Sequence, residues 1–209
     1  MNKERVIAYV DGFNLYFGLK QAGWKRYYWL NIKKLVTRLL KENQQLTLTK
    51  YFTARISGPP DKQKRQSVFL EALSTLKDLK IYYGHYLSSS ITCNKCGRHW
   101  LHFEEKMTDV NIATEMLTDA FEDKFDTAIL ISADSDLVPP IKTIKRLYPK
   151  KRIVVFFPPK RFSTHIKNSA DIQLSIGRGS LVKSQFPDSV RKSHDVILEK
   201  PAEWRKDNK

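Results

Sequence analysis

Val6-Ile7-Ala8-Tyr9-Val10-Asp11-Gly12-Phe13-Asn14 is an apolar run that ends abruptly in an acid, a glycine and an amide. A short stretch with no room for charge, closed by turn formers, reads as a buried strand of a parallel sheet. The same pattern returns some 120 residues later as Ala128-Ile129-Leu130-Ile131, followed by Ser132-Ala133-Asp134-Ser135-Asp136. Carboxylates at the carboxyl ends of such strands face the crevice where open α/β sheets bind ligands. A third acid, Asp109, opens a helical pattern between them. Acids converging there repel one another unless a cation sits among them.

Working outward, apolar residues at three- and four-residue spacings predict a helix over 13–21 and a second one carrying Ile32, Leu35, Val36, Leu39 and Leu40. A strand over 46–56 is broken by Gly58-Pro59-Pro60. A long helix striped by Val68, Phe69, Ala72, Leu73 and Leu76 leads to a third strand over 80–87. Residues 109–121 read as an amphipathic helix and 127–132 as the fourth strand. Pro139 and Pro140 fall in the first turn of the next helix, where a missing N–H costs little. A strand over 152–157, a short helix over 163–170 and a last strand over 172–176 complete the alternation. Repeated β and α units predict a mostly parallel sheet with helices on both faces. The sequence divides into a domain over 1–177, interrupted by a Cys-containing insertion at about 88–103, and a basic tail over 178–209 expected to pack loosely.

The chain of 209 residues is long enough to bury one good core, and its 41% hydrophobic and 28% charged content is ordinary for a soluble domain. No apolar stretch reaches the ~20 residues of a membrane helix, so no membrane partner is expected. The opening Met-Asn-Lys-Glu-Arg does not read as a signal peptide, and two cysteines make no disulfide scaffold, so the expected setting is the reducing cytoplasm. With 37 basic against 22 acidic residues the formal charge is +15, which points to a polyanionic partner, nucleic acid before membrane. A homodimer is a further candidate assembly.

Each acid has an ordinary structural reading as well. Asp11 before Gly12 suits a turn, Asn14 and Asp136 suit helix caps, Ser132 suits a local hydroxyl bond, and Asp109 suits the first turn of a helix. Their common placement at one edge of the predicted sheet favours a joint role. Oxygen ligands with no histidine among them suit Mg²⁺ or Mn²⁺ over zinc. Such an ion polarises a phosphoryl oxygen and lowers the pKa of bound water, which is the chemistry of phosphodiester hydrolysis.

Val10-Asp11-Gly12-Phe13-Asn14, Glu105-Lys106-x-x-Asp109 and Ser132-Ala133-Asp134-Ser135-Asp136 together resemble the three signatures of the NYN-domain family, relatives of the PIN-domain ribonucleases. The resemblance covers about residues 5 to 176. It implies a PIN-like three-layer α/β/α sandwich and a metal-dependent nuclease acting on RNA. It also implies metal ligation by Asp11, Asp109, Asp134 and Asp136, with Asn14, Ser132 and Lys106 around the metal and the scissile phosphate. Phe186-Pro187 and Lys200-Pro201-Ala202-Glu203-Trp204 are similar to stand-alone bacterial members. Lys106 has the alternative of a surface ion pair with Glu104 or Glu105.

Four further features divide between function and structure. Cys93-x-x-Cys96 with His99 and His102 offers a structural Zn²⁺ site, against a plain loop with free thiols; on a strand the two histidines would fall on opposite faces. Trp24-Lys25-Arg26-Tyr27-Tyr28-Trp29 interleaves aromatic and basic residues, as in single-strand binding surfaces, against a role in the core. Lys142, Lys145, Arg146, Lys160 and Arg161 belong to the densest basic stretch and are candidates for the entry to the crevice. Arg55, at the end of the second strand, either faces the site or pairs structurally.

The resulting expectation is a divalent-metal-dependent endoribonuclease that prefers single strands. A non-catalytic RNA-binding module with the same fold is the rival, disfavoured because carboxylates facing a polyanion gain a binder nothing. A phosphatase using an acid after the first strand would want a second Asp at position 13, which is Phe13. No Gly-rich dinucleotide fingerprint follows that strand.

Overall fold

The computed structural model describes residues 3–206, with the side chains of 86–89 and 100–105 outside the description. The chain runs β1 (Glu4–Asp11), α1 (Gly12–Gln21), α2 (Ile32–Leu39), β2 (Gln44–Thr53), α3 (Pro60–Ser74) and β3 (Leu79–Tyr83). It continues through β4 (His85–Thr92), β5 (His99–Lys106), α4 (Thr108–Phe121), β6 (Thr127–Ile131) and α5 (Val138–Leu147). The remainder is β7 (Arg152–Phe157), α6 (Thr164–Ser169), β8 (Ile172–Ser175), α7 (Arg178–Val182), β9 (Ser189–Arg191) and β10 (Ile197–Glu199).

Six strands form a parallel sheet in the order β3-β2-β1-β6-β7-β8. The chain builds outward from β1 to β3, returns beside β1 as β6, and builds outward again the other way. The strand order therefore reverses between β1 and β6, where such sheets open a crevice beyond the carboxyl ends. Val10 lies opposite both Tyr51 and Ile131, so the acidic turns after β1 and β6 emerge at one level.

Alternation along the central strands feeds two cores. Val6, Ala8 and Val10, with Ile129 and Ile131, pack against Leu15, Leu35 and Leu73 of α1, α2 and α3. Ile7 and Tyr9, with Leu130, pack against Ile112, Ile141 and Ile166 of α4, α5 and α6. Helix starts follow the expected chemistry: the side chain of Asn31 accepts from Lys34 N–H at 2.8 Å, and prolines open α5.

Three expectations are corrected. The third strand ends at Tyr83 rather than at 87: Gly84 N–H bonds to Thr53 carbonyl, and the chain leaves the sheet as an antiparallel ribbon, β4 with β5, turned at residues 93–98. The stretch expected as an insertion at about 88–103 falls within this ribbon, which spans 85–106. The segment after 177 does not hang loosely. Leu181, Phe186, Val190, Leu198 and Trp204 are buried in the first core, Phe186 N–H bonds to Trp29 carbonyl, and the indole N–H of Trp29 donates to Pro187 carbonyl at 2.7 Å. Of the aromatic-basic run at 24–29, Tyr27 and Trp29 belong to that core.

Candidate functional site

Asp11 is the last residue of β1 and the cap of α1. One carboxylate oxygen accepts the N–H of Asn14 at 2.9 Å, and the other accepts the hydroxyl of Ser132 at 2.9 Å. Ser132 in turn accepts the N–H of Asp134 at 3.1 Å, and the side-chain oxygen of Asn14 accepts the N–H of Ala133 at 3.2 Å. These bonds lace the turn after β1 to the turn after β6 across the switch point. The cap readings of the sequence are redistributed: Asp11, not Asn14, caps α1, while Asp134 takes the N–H of Asp136 at 3.1 Å and caps the short 3₁₀ turn Ser135–Leu137. Ser132 and Asn14 are cross-braces.

Asp109 lies half-buried in the first turn of α4, entered through Met107 in the left-handed region at φ 75°. The four acids share one electrostatic field. Burial pushes the Asp11 carboxyl up to about 7; the bonds from Asn14 and Ser132 oppose this, and the charges of Asp109 and Asp134 add to it. Burial pushes Asp109 up to about 6, helped by Asp134 and Asp136. Only 3% of Asp11 is exposed, so water does little to screen that repulsion.

The donors fit a hard divalent cation in kind, since they are carboxylate oxygens whose mutual repulsion such an ion relieves. Among the described residues, no three histidine, cysteine or acidic side chains are already drawn together in ion-holding geometry. The same holds at the ribbon tip. Backbone N–H groups of Lys95 and Cys96 pull the Cys93 thiol down, while the ring of His99 is engaged with Thr92 hydroxyl at 2.8 Å across the ribbon. The side chain of His102 lies outside the described residues.

The basic candidates separate by position. Lys160 and Arg161 follow β7 at the same sheet edge as the acids, Arg161 stacked 6.0 Å from the Phe17 ring centre. Arg55 follows β2 at that edge, 5.3 Å from the ring centre of Tyr83. Lys106 ends β5, two residues before α4 begins, and is exposed. Lys145 does not face the crevice: it pairs with Asp171 at 2.7 Å, and Asp171 holds the N–H of Ile153 at the start of β7. Because α5 runs against the strands, Lys145 and Arg146 in its last turn sit at the opposite edge of the sheet, and Lys142 is an exposed residue earlier on that helix.

A cavity of about 310 Å³ opens beside the crevice, between α1, β2, α3 and Trp204. It is lined by aromatic and basic residues: Lys25 and Tyr28 come from the aromatic-basic run read in the sequence, whereas Tyr16, Lys20, Tyr51, Phe69 and Trp204 were not read as part of a site. Along α1 the signal was the interleaving of Tyr16 and Lys20, which runs on into Lys25 and Tyr28.

A six-stranded parallel sheet between helical layers, with acids at the reversal point, defines a PIN-like domain of the nuclease-related class. The chain belongs to the NYN domain family, whose model matches residues 5–177. It is 25% identical to 6-hydroxy-3-succinoylpyridine 3-monooxygenase of Pseudomonas putida, over 96% of this chain and 75% of that protein. It is also 25% identical to an uncharacterized protein of Methanocaldococcus jannaschii, over 71% of this chain and 65% of that one. A solved protein of unknown function from Vibrio parahaemolyticus shares the fold with a TM-score of 0.58 at 20% identity, covering 88% of this chain and 98% of its own. No helix among the described residues is long and apolar enough to cross a membrane.

Proposed function

We propose that this protein is a divalent-metal-dependent endoribonuclease acting on single-stranded RNA in the cytoplasm. The observation that supports this reading most is the gathering of Asp11, Asp109, Asp134 and Asp136 into one field at the β1/β6 switch point of a NYN domain. Asp11, Asp109, Asp134 and Asp136 would hold Mg²⁺ or Mn²⁺, which when bound activates water and polarises the phosphoryl oxygen. Ser132 and Asn14 hold the two acidic turns in register, so that Asp11 keeps its orientation against the repulsion of its neighbours. Lys106 brings a cation to the scissile phosphate, while Arg55, Lys160 and Arg161 at the same edge take up flanking phosphates.

The second reading, an RNA-binding module without catalysis, is favoured by one observation: both oxygens of Asp11 already accept protein hydrogen bonds. Cleavage of end-labelled single-stranded RNA, with DNA in parallel and with Mg²⁺, Mn²⁺ or chelator, separates the two. The nuclease reading expects metal-dependent products that Asp134→Asn abolishes while melting and circular dichroism stay near wild type. Equal turnover by that variant would end the metal assignment, and binding without cleavage under every condition would favour the module.

A further inference from the structure

We propose that the cavity beside the acidic crevice is a nucleobase subsite, which receives the base of the nucleotide next to the phosphate facing the carboxylates. The ligand class rests on the nuclease reading above; the site itself rests on its own construction. Its wall is an unbroken arc of rings. Tyr16 lies 4.9 Å from Tyr28 between ring centres, Tyr28 5.7 Å from Trp204, Trp204 6.2 Å from Phe69, and Phe69 6.2 Å from Tyr51. Each ring meets the next tilted or edge-to-face, an arrangement aromatic pairs favour and that holds every member in place. A wall fixed before binding loses little freedom when a flat ring enters.

The rim carries Lys20, Lys25 and Lys62, with Arg65 bound to Glu203 at 2.8 Å beside it, and no aspartate or glutamate lines the cavity itself. An apolar tail would need no such rim, whereas a flat base carrying a phosphate matches both the rings and the cations. The volume of about 310 Å³ suits a small organic ligand. Position ties the cavity to the crevice. The phenol end of Tyr51 sits 2.6 Å from where a Cβ would stand on Gly12, the residue directly after Asp11. The ring wall therefore runs up to the residue that follows Asp11, so a base in the cavity lies beside the acidic turn. The site would read unstacked bases only, which makes it a source of single-strand preference.

The test uses the full chain in chelator, where nothing is cleaved. Trp204 belongs to the arc, so nucleoside 5′-monophosphates should quench tryptophan emission saturably, ribose 5-phosphate should not, and Trp204→Phe should lose the quench. A non-cleavable 2′-O-methyl oligonucleotide should compete. Tyr28→Leu should weaken nucleotide binding about tenfold, Tyr28→Phe should restore it, and Lys62→Glu should weaken nucleoside monophosphates more than nucleosides. Equal binding of ribose 5-phosphate, equal binding of benzoate, or indifference to Tyr28→Leu in a normally melting protein overturns the base subsite. RNA cleavage without any nucleotide-induced quench removes the subsite and leaves the nuclease reading standing. Quenching without metal-dependent cleavage does the reverse.

Discussion

Replacing Asp11 by Asn should stabilise the metal-free protein at alkaline pH. A carboxyl that titrates at about 7 in the fold, against 3.8 ordinarily, is disfavoured as an anion by roughly 4 kcal/mol once the pH exceeds 7. The folded state then binds more protons than the unfolded chain between about pH 4 and 7. Stability contributed by this group accordingly falls as the pH rises through that window and levels off above it. Asn keeps an oxygen for the N–H of Asn14 but turns an amide toward Ser132, whose hydroxyl must reorient. That loss of a charge-assisted bond offsets about 1.5 kcal/mol, leaving a gain of roughly 2.5 kcal/mol, or about 5–10 °C in melting temperature for a chain of this size. Thermal melts in chelator at pH 5.5 and 8 are the assay: the variant should exceed wild type at pH 8 and match it at pH 5.5. Mn²⁺ should raise the wild-type melt at pH 8 and move the variant little. A variant less stable than wild type at pH 8 in chelator would refute the reasoning, because it would mean that the Asp11 anion is not repelled by its surroundings.

Other outcomes follow from the same structure. Lys50 is buried and paired with Asp119 and Glu115, while Tyr9 hydroxyl donates to Asp119 at 2.6 Å. Lys50→Met should cost about 3 kcal/mol by leaving buried Asp119 only the Tyr9 hydroxyl and the exposed Lys124 at 3.6 Å, and adding Asp119→Leu should recover most of it in denaturant titrations; no recovery would count against an ion-pair origin. Gly12→Ala should cost about 2 kcal/mol, because the new methyl meets the Tyr51 phenol at 2.6 Å and Phe52 carbonyl at 2.7 Å. An unchanged melting temperature would show that the turn after β1 can widen. RNA binding should weaken with salt at a slope near −3 in log K against log concentration, as expected for ~4 phosphates on a single strand; a flat response in filter binding would mean that the basic surface does not meet RNA.

The central sheet was legible because buried parallel strands appear as uninterrupted apolar runs, and Val6–Val10 and Ala128–Ile131 are buried throughout. The acids were legible for the same reason, since only a chain end of such a strand tolerates them. Where packing rather than pattern decides, the reading failed. The run over 80–87 keeps its β character across Gly84, and only the geometry shows it changing from sheet to ribbon. The segment after 177 spreads Leu181, Phe186, Val190, Leu198 and Trp204 among polar residues with no common period, so nothing local announces that they share a core. Lys145 looked like its neighbours because charge does not reveal which end of a helix faces the crevice; its bond to Asp171 does. The aromatic arc draws on α1, the loop after it, β2, α3 and residue 204, a convergence no window of sequence contains.

The return of the C-terminal segment also sets an order of events during synthesis. Once residues 5–177 have emerged, every strand of the parallel sheet is available for pairing, yet Trp29 still lacks Pro187 as acceptor and Phe186 as neighbour. The cavity then has Tyr28 and Phe69 but not the Trp204 ring between them. An acidic crevice can therefore be complete on a nascent chain whose aromatic wall is still open. Closure waits for residue 204 to emerge, and the finished cavity exists only on chains made through that residue.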